Sequence, residues 1–146
     1  MNRRSLRKER ERGTAVIEVS LLAPWLFFLF AGVVDLGFYT YAAISIENAS
    51  RVAALYTSTS AATAGDNAGA CTYAVRELGT LPGVSLGMAC NALPVIVSAT
   101  AVNGPDNKPA TSVTVTYQTL KLFAIPGIGI NQLTLSRTAV MKVKGN

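Results

Sequence analysis

The stretch Arg12-Gly13-Thr14-Ala15-Val16-Ile17-Glu18, followed by Val19-Ser-Leu-Leu-Ala-Pro-Trp-Leu-Phe-Phe-Leu-Phe-Ala-Gly-Val-Val34, decides the fold of this chain. Val19 to Val34 contains no charge, which is unusual for a soluble domain of this size. A helix from Glu18 to Asp35 rises roughly 26 Å, close to the ~30 Å of a hydrocarbon core. Ala15, Val16, Leu36 and Phe38 flank it and complete a membrane helix placed at 14–41. Tyr39 and Tyr41 suit the outer interface. Pro24 falls inside the span, where a kink is expected because its ring removes one hydrogen bond.

Before the span lie Arg3, Arg4, Arg7, Lys8, Arg10 and Arg12, with Glu9 and Glu11 among them: six basic against two acidic, a net of +4. The rest has seven basic and six acidic residues, a net of +1, so most of the formal +5 belongs to residues 1–13. A basic run beside a span sets orientation, with the positive end cytoplasmic. No basic face or aromatic platform accompanies it, which excludes nucleic acid as the partner. The partner these residues imply is a lipid bilayer, with the N-terminus cytoplasmic and the remainder periplasmic. A secretory signal would need small residues after its apolar core. Asp35-Leu-Gly-Phe-Tyr-Thr-Tyr41 is bulky there, so the span is expected to stay in the protein. Glu18 at the border of the span is costly unless paired or interfacial. It also stands in the first turns of the helix, where the macrodipole favours a carboxylate.

Beyond the membrane, Ala42, Ile46, Ala49, Ala53 and Tyr56 recur at spacings of four, three, four and three, which continues the helix with one apolar stripe. Glu47 and Arg51 are placed for an i,i+4 pair. Thr57-Ser-Thr-Ser-Ala-Ala-Thr-Ala-Gly65 ends the pattern, giving one helix from about Thr14 to Thr57 and an extension and linker over 42–65. In the head, 66–146, a short helix is expected over Asn67–Gly79, stopped by the glycine. Strands are expected over Leu93–Val102, Ser112–Leu120 and Gln132–Val143. The last carries Leu133, Leu135, Arg137, Ala139, Met141 and Val143 on one face. The fold class is therefore α+β: a long N-terminal transmembrane helix packed on a small antiparallel sheet, with a short second helix. The apolar loop Phe123-Ala-Ile-Pro-Gly-Ile-Gly-Ile130 either docks another component, dips towards the bilayer, or packs over the sheet end, the last being favoured.

Cys71 and Cys90 lie beyond the span, where the compartment permits a disulfide. Such a bond would add about 3 kcal/mol in the chain-entropy model; two buried, unpaired thiols are the alternative. The chain has no histidine, no Gly-x-Ser-x-Gly elbow and no phosphate-binding loop. No catalytic residue, cofactor, metal or small-molecule substrate is expected.

The junction itself is similar to a prepilin peptidase site: basic residues, Gly13, four small or apolar residues, then Glu18. With Pro24, Gly32, Asp35, Gly37 and the C-terminal Leu-Thr-Leu-Ser-Arg-Thr-Ala-Val-Met run, the chain resembles the TadE-like family, the minor pseudopilins of tight-adherence (Flp) pilus systems. Val19 departs from it, because an aromatic residue more often follows the glutamate. The resemblance implies a pilin-like fold and cleavage between Gly13 and Thr14 by prepilin peptidase. It also implies that Glu18, fifth in the mature chain, pairs with a neighbouring subunit's N-terminal amine. The implied partners are that peptidase, other pilins or pseudopilins and pilus-assembly membrane proteins. The implied place is the bacterial inner membrane or the base of a surface pilus. Two other readings share the leader: an uncleaved, single-pass periplasmic scaffold, and a type II secretion pseudopilin, against which Thr14 counts because an aromatic first residue is commoner there.

Overall fold

Helix α1 spans Arg3–Thr57 in the computed structural model, which describes residues 3–120 and 132–144, with side chains from residue 16 onward. It starts inside the basic segment rather than near Thr14. Arg, Lys, Glu and Leu all favour helix, and Gly13 opposes it by only about 1 kcal/mol. Its end follows from the hydroxyl run. Thr57 Oγ1, Ser58 Oγ and Thr59 Oγ1 donate to the carbonyls of Ala54, Leu55 and Tyr56 at 3.1, 2.8 and 2.8 Å. Those bonds compete with continuation of the helical ladder.

The chain divides into two units, Met1–Gly37 and Phe38–Asn146. The described part of the first is α1 alone. The second contains the end of α1, helix α2 (Asn67–Leu78) and strands β1 (Asn91–Ala92), β2 (Val95–Asn103), β3 (Pro109–Gln118) and β4 (Thr134–Lys142). The strands form one antiparallel sheet in the order β1-β2-β3-β4. The α+β class read from the pattern is the one observed. Two-residue β1 was not foreseen, because nothing so short shows a period. The loop over Phe123–Ile130 lies outside the described residues.

The α1 stripe is the side that packs on the sheet. Ala42, Ile46, Ala49 and Ala53 are fully buried, in one core with Val95, Val97, Val113, Val115, Tyr117 and Leu135. Alanines at these positions let the helix backbone approach the sheet closely, and Ile46 fills the remaining space. Helix α2 adds Ala70, Ala74, Val75 and Leu78. Along β3 the residues at 111, 113, 115 and 117 are buried and those between are half-exposed, the period of two that the sequence displays. The outer face is hydroxyl-rich, with Thr114 paired to Thr138 at 2.8 Å and Thr116 to Ser136 at 3.1 Å.

Among the described residues no buried side-chain nitrogen or oxygen lacks a hydrogen-bond partner. Thr111 Oγ1 lies 2.9 Å from Thr57 Oγ1 and 2.8 Å from Ala64 O, tying the end of α1 to β3. Tyr117, the largest fully buried side chain, donates its hydroxyl to Pro82 O at 2.9 Å. On β4, Leu135 is buried and Ala139 and Met141 pack against the core, as the alternation requires. Arg137 shares that face and stays exposed, reaching Glu47 of α1 at 3.8 Å, while Glu47 also holds Arg51 at 3.0 Å. Gly79 does follow the last residue of α2, but with φ −60° and ψ −14° it is right-handed. The stop comes instead from the turn that Leu81 N closes on Leu78 O at 2.8 Å.

Candidate functional site

The segment expected to act in assembly is a single helical tract. Gly13 and Thr14 are consecutive residues of α1, and Glu18 lies five positions after Gly13, roughly 7.5 Å further along the axis. Glu18 is exposed, and no described residue forms an ion pair with it. Pro24 sits inside α1 without ending it. Because proline has no N–H, the Ser20 carbonyl loses its helical donor; the Ser20 hydroxyl itself donates to Val16 O at 2.7 Å. From Val16 onward α1 is long and apolar enough to cross a membrane. Its large side chains are exposed around the whole circumference, Trp25 at 72%. An all-round apolar helix needs lipid or other helices as its surroundings.

The head carries a second cluster around the start of α2, which the sequence reading did not single out. Asp66 is the N-cap: its Oδ1 accepts from Ala68 N at 3.1 Å and Gly69 N at 3.0 Å. Its Oδ2 accepts from the Tyr56 hydroxyl at 2.8 Å, and the Tyr56 ring stacks on Tyr73 at 4.6 Å. A Cβ at Gly69 would overlap the Tyr56 ring and the Asp66 carboxylate, so only glycine fits. Next to Asp66, Asn67 Oδ1 accepts from Ala99 N at 2.7 Å and so occupies an edge amide of β2. The signal that could have found this cluster is an Asp just before the α2 period.

The Gly69 amide first, and the Tyr56 hydroxyl next, hold the Asp66 carboxyl below its usual value, partly opposed by burial. The sign follows directly. A folded value below the unfolded one, about 3.9, gives stability that is complete above that pH and fades as pH falls through the folded value. Thermal melts from pH 7 down to about pH 3 should therefore show this contribution flat near neutrality and declining below about pH 4. Asp66→Asn, which keeps a capping oxygen but cannot titrate, should flatten its share of that decline. Identical acid dependence in the two proteins would show that Asp66 does not carry it.

Cys71 and Cys90 are bonded, with their Cα atoms 5.7 Å apart. The bridge fastens α2 to the segment before β1, and the disulfide alternative is the one observed. Beside it runs a groove of about 920 Å³ between α2, the Leu86–Asn91 segment and the edge of β2, with Leu86, Met88 and Ile96 among its walls. Among the described residues no group of three or more His, Cys, Asp or Glu is placed to hold a metal ion.

Among the described residues one membrane-compatible helix precedes a small α+β head, an arrangement consistent with a pilin-like fold. Residues 13–55 match the family model described as TadE-like protein, so the resemblance carried by Gly13, Glu18, Pro24 and the span is shown over that stretch. No curated protein and no solved structure matches the chain.

Proposed function

We propose that this chain is a minor pseudopilin, an assembly subunit of a tight-adherence (Flp, type IVb-like) pilus. Residues 1–13 are a leader, 14–41 the membrane helix, 42–65 its extension and linker, and 66–146 a periplasmic head. The observation that carries the reading is the family match, which begins at Gly13 and runs through Glu18 and the whole apolar run. Three physical features support it. The basic residues hold the N-terminus on the cytoplasmic side, where the peptidase of this pathway cuts. The Gly13–Thr14 bond lies in a helix, and glycine is where a helix opens at least cost. Cleavage there creates an α-amine that is charged at neutral pH, with an ordinary pKa of about 7.7–8.0. Glu18 of a neighbouring subunit is the carboxylate that would meet it. In a low-dielectric setting each charge needs the other, so the pair specifies axial register between subunits. The disulfide accords with an oxidising compartment for the head.

The test is the mass and N-terminal residue of the membrane-bound protein from cells with and without prepilin peptidase. The expected chain begins at Thr14 only where the peptidase is present, and Gly13→Val blocks the cut. A chain that keeps residues 1–13 in both strains sinks the pseudopilin pathway and leaves an uncleaved, membrane-anchored scaffold.

A further inference from the structure

The end of the head where α1 finishes carries charges that the described residues leave unneutralised. There the β2–β3 turn meets the last residues of β4: Val143 N donates to Pro109 O at 2.9 Å, one step beyond the Ala110–Lys142 pair. Beyond that step the two segments part: Lys144 N donates to Ser58 O, just past the end of α1, at 2.9 Å, and Lys108 O accepts from Gly104 N in the β2–β3 turn at 2.8 Å. Lys142 stands two residues before Lys144, and its Nζ is bonded to Asp106 Oδ2 at 3.2 Å. Asp106 is also fixed by its turn, since Oδ1 accepts from Lys108 N at 3.3 Å. The Lys142 ammonium holds the Asp106 carboxyl below its usual range, so the carboxylate is ionised and engaged. No described residue forms an ion pair with the Lys108 or Lys144 side chain.

These lysines are grouped around a pocket of about 440 Å³ that Ser60, Ala61 and Ala62 line on the α1 side. Three ammonium groups and one carboxylate leave a net of +2 around an otherwise uncharged wall. Lysine binds phosphate as a compact point charge with rotatable donors, without the planar geometry arginine demands. We propose that this pocket binds a phosphate monoester carried by a sugar. The dianion neutralises the +2, and the pocket has room for the sugar as well as the phosphate. A carboxylate or a phosphate diester, each with one charge, leaves a lysine uncompensated. The feature that points outward is that two of the three lysines lining the pocket have no carboxylate partner among the described residues. All three lysines face solvent, so binding is salt-sensitive, fading as the Debye length falls from about 10 Å at 0.1 M to 3 Å at 1 M.

The experiment uses the full chain in a nonionic detergent, with glucose 6-phosphate as the probe, followed by 31P line broadening. Broadening is expected to saturate, and glucuronate, a monoanion, is expected to compete poorly. Lys108→Gln with Lys144→Gln should weaken binding by roughly fivefold. Neither side chain has an ion pair to lose, and an unchanged circular dichroism spectrum confirms the fold. Arg51→Gln with Arg76→Gln removes the same charge elsewhere in the head and should change affinity little. Equal weakening by the two double variants would mean attraction to net charge alone and overturn the site. Equal competition by glucuronate would overturn the monoester assignment, and broadening that never saturates would overturn binding itself.

Discussion

Glu18→Gln is expected to leave the chain inserted in the membrane and to stop its incorporation into pilus assemblies. The substitution keeps length and polarity and removes only the charge. Insertion should improve slightly, since a neutral amide costs less near the bilayer core than a carboxylate. On the proposed processing and pairing, assembly should fail because the α-amine that cleavage would create on the neighbour would enter a low-dielectric contact without a counter-charge. Removing one partner of a buried pair costs about 3–5 kcal/mol, a factor of a hundred or more in association. The measurement is cross-linking of the processed chain to other pilin subunits in membranes, normalised to the amount inserted. Wild-type cross-linking by Glu18→Gln would reduce Glu18 to an interfacial helix residue. Glu18→Asp is the control for reach: it keeps the charge on a shorter arm and should cross-link at an intermediate level.

Cys71→Ser with Cys90→Ser should destabilise the head by about 3 kcal/mol, the chain-entropy value for a loop of this length. The two cysteines are 19 residues apart, and between them lie the end of α2 and the irregular stretch from Gly79 to Ala89. That stretch is held by buried Leu81, by Val84 and Met88 packed against the core, by the Tyr117–Pro82 and Tyr41–Thr80 bonds, and by the disulfide. Against the 5–15 kcal/mol typical of a domain, the loss is large enough to read as a lower urea midpoint in tyrosine fluorescence. Proteolysis should then start within 79–89, because losing the bridge frees that segment first. An unchanged midpoint would mean that the segment is held by its other contacts and the bridge adds little. Reduction of the wild type by dithiothreitol should give the same shift as the double variant.

Much of this architecture is visible in short windows of sequence because its causes are local. The absence of charge from Val19 to Val34 and the three-four spacing from Ala42 to Tyr56 each specify one element within its own length. Strand boundaries moved by a few residues: β2 begins at Val95, after the cis Leu93–Pro94 bond, and β3 begins at Pro109, where pairing with Asn103 closes the hairpin. The alternation along β4 is equally local, and it placed Arg137 on the inner face without saying why an arginine is tolerated there.

The reasons for such residues lie in contacts between segments far apart in the chain. Arg137 is tolerated because its side chain stays exposed, with Glu47 of α1 within 3.8 Å of it. Thr57 and Thr111 meet across 54 residues, and Asn67 reaches the amide of Ala99 across 32. None of these pairs has a spacing that a helix or strand period would reveal. Each exists only once closure of the intervening chain has brought the segments together, and that closure depends on the whole core. The cysteines show the division plainly. The sequence by itself placed both beyond the membrane span, where a bond is permitted. Only the packing of α2 against β2 set their Cα atoms 5.7 Å apart and made the bond, just as only the β2–β3 turn meeting the end of β4 brought Lys108 and Lys144 to one pocket.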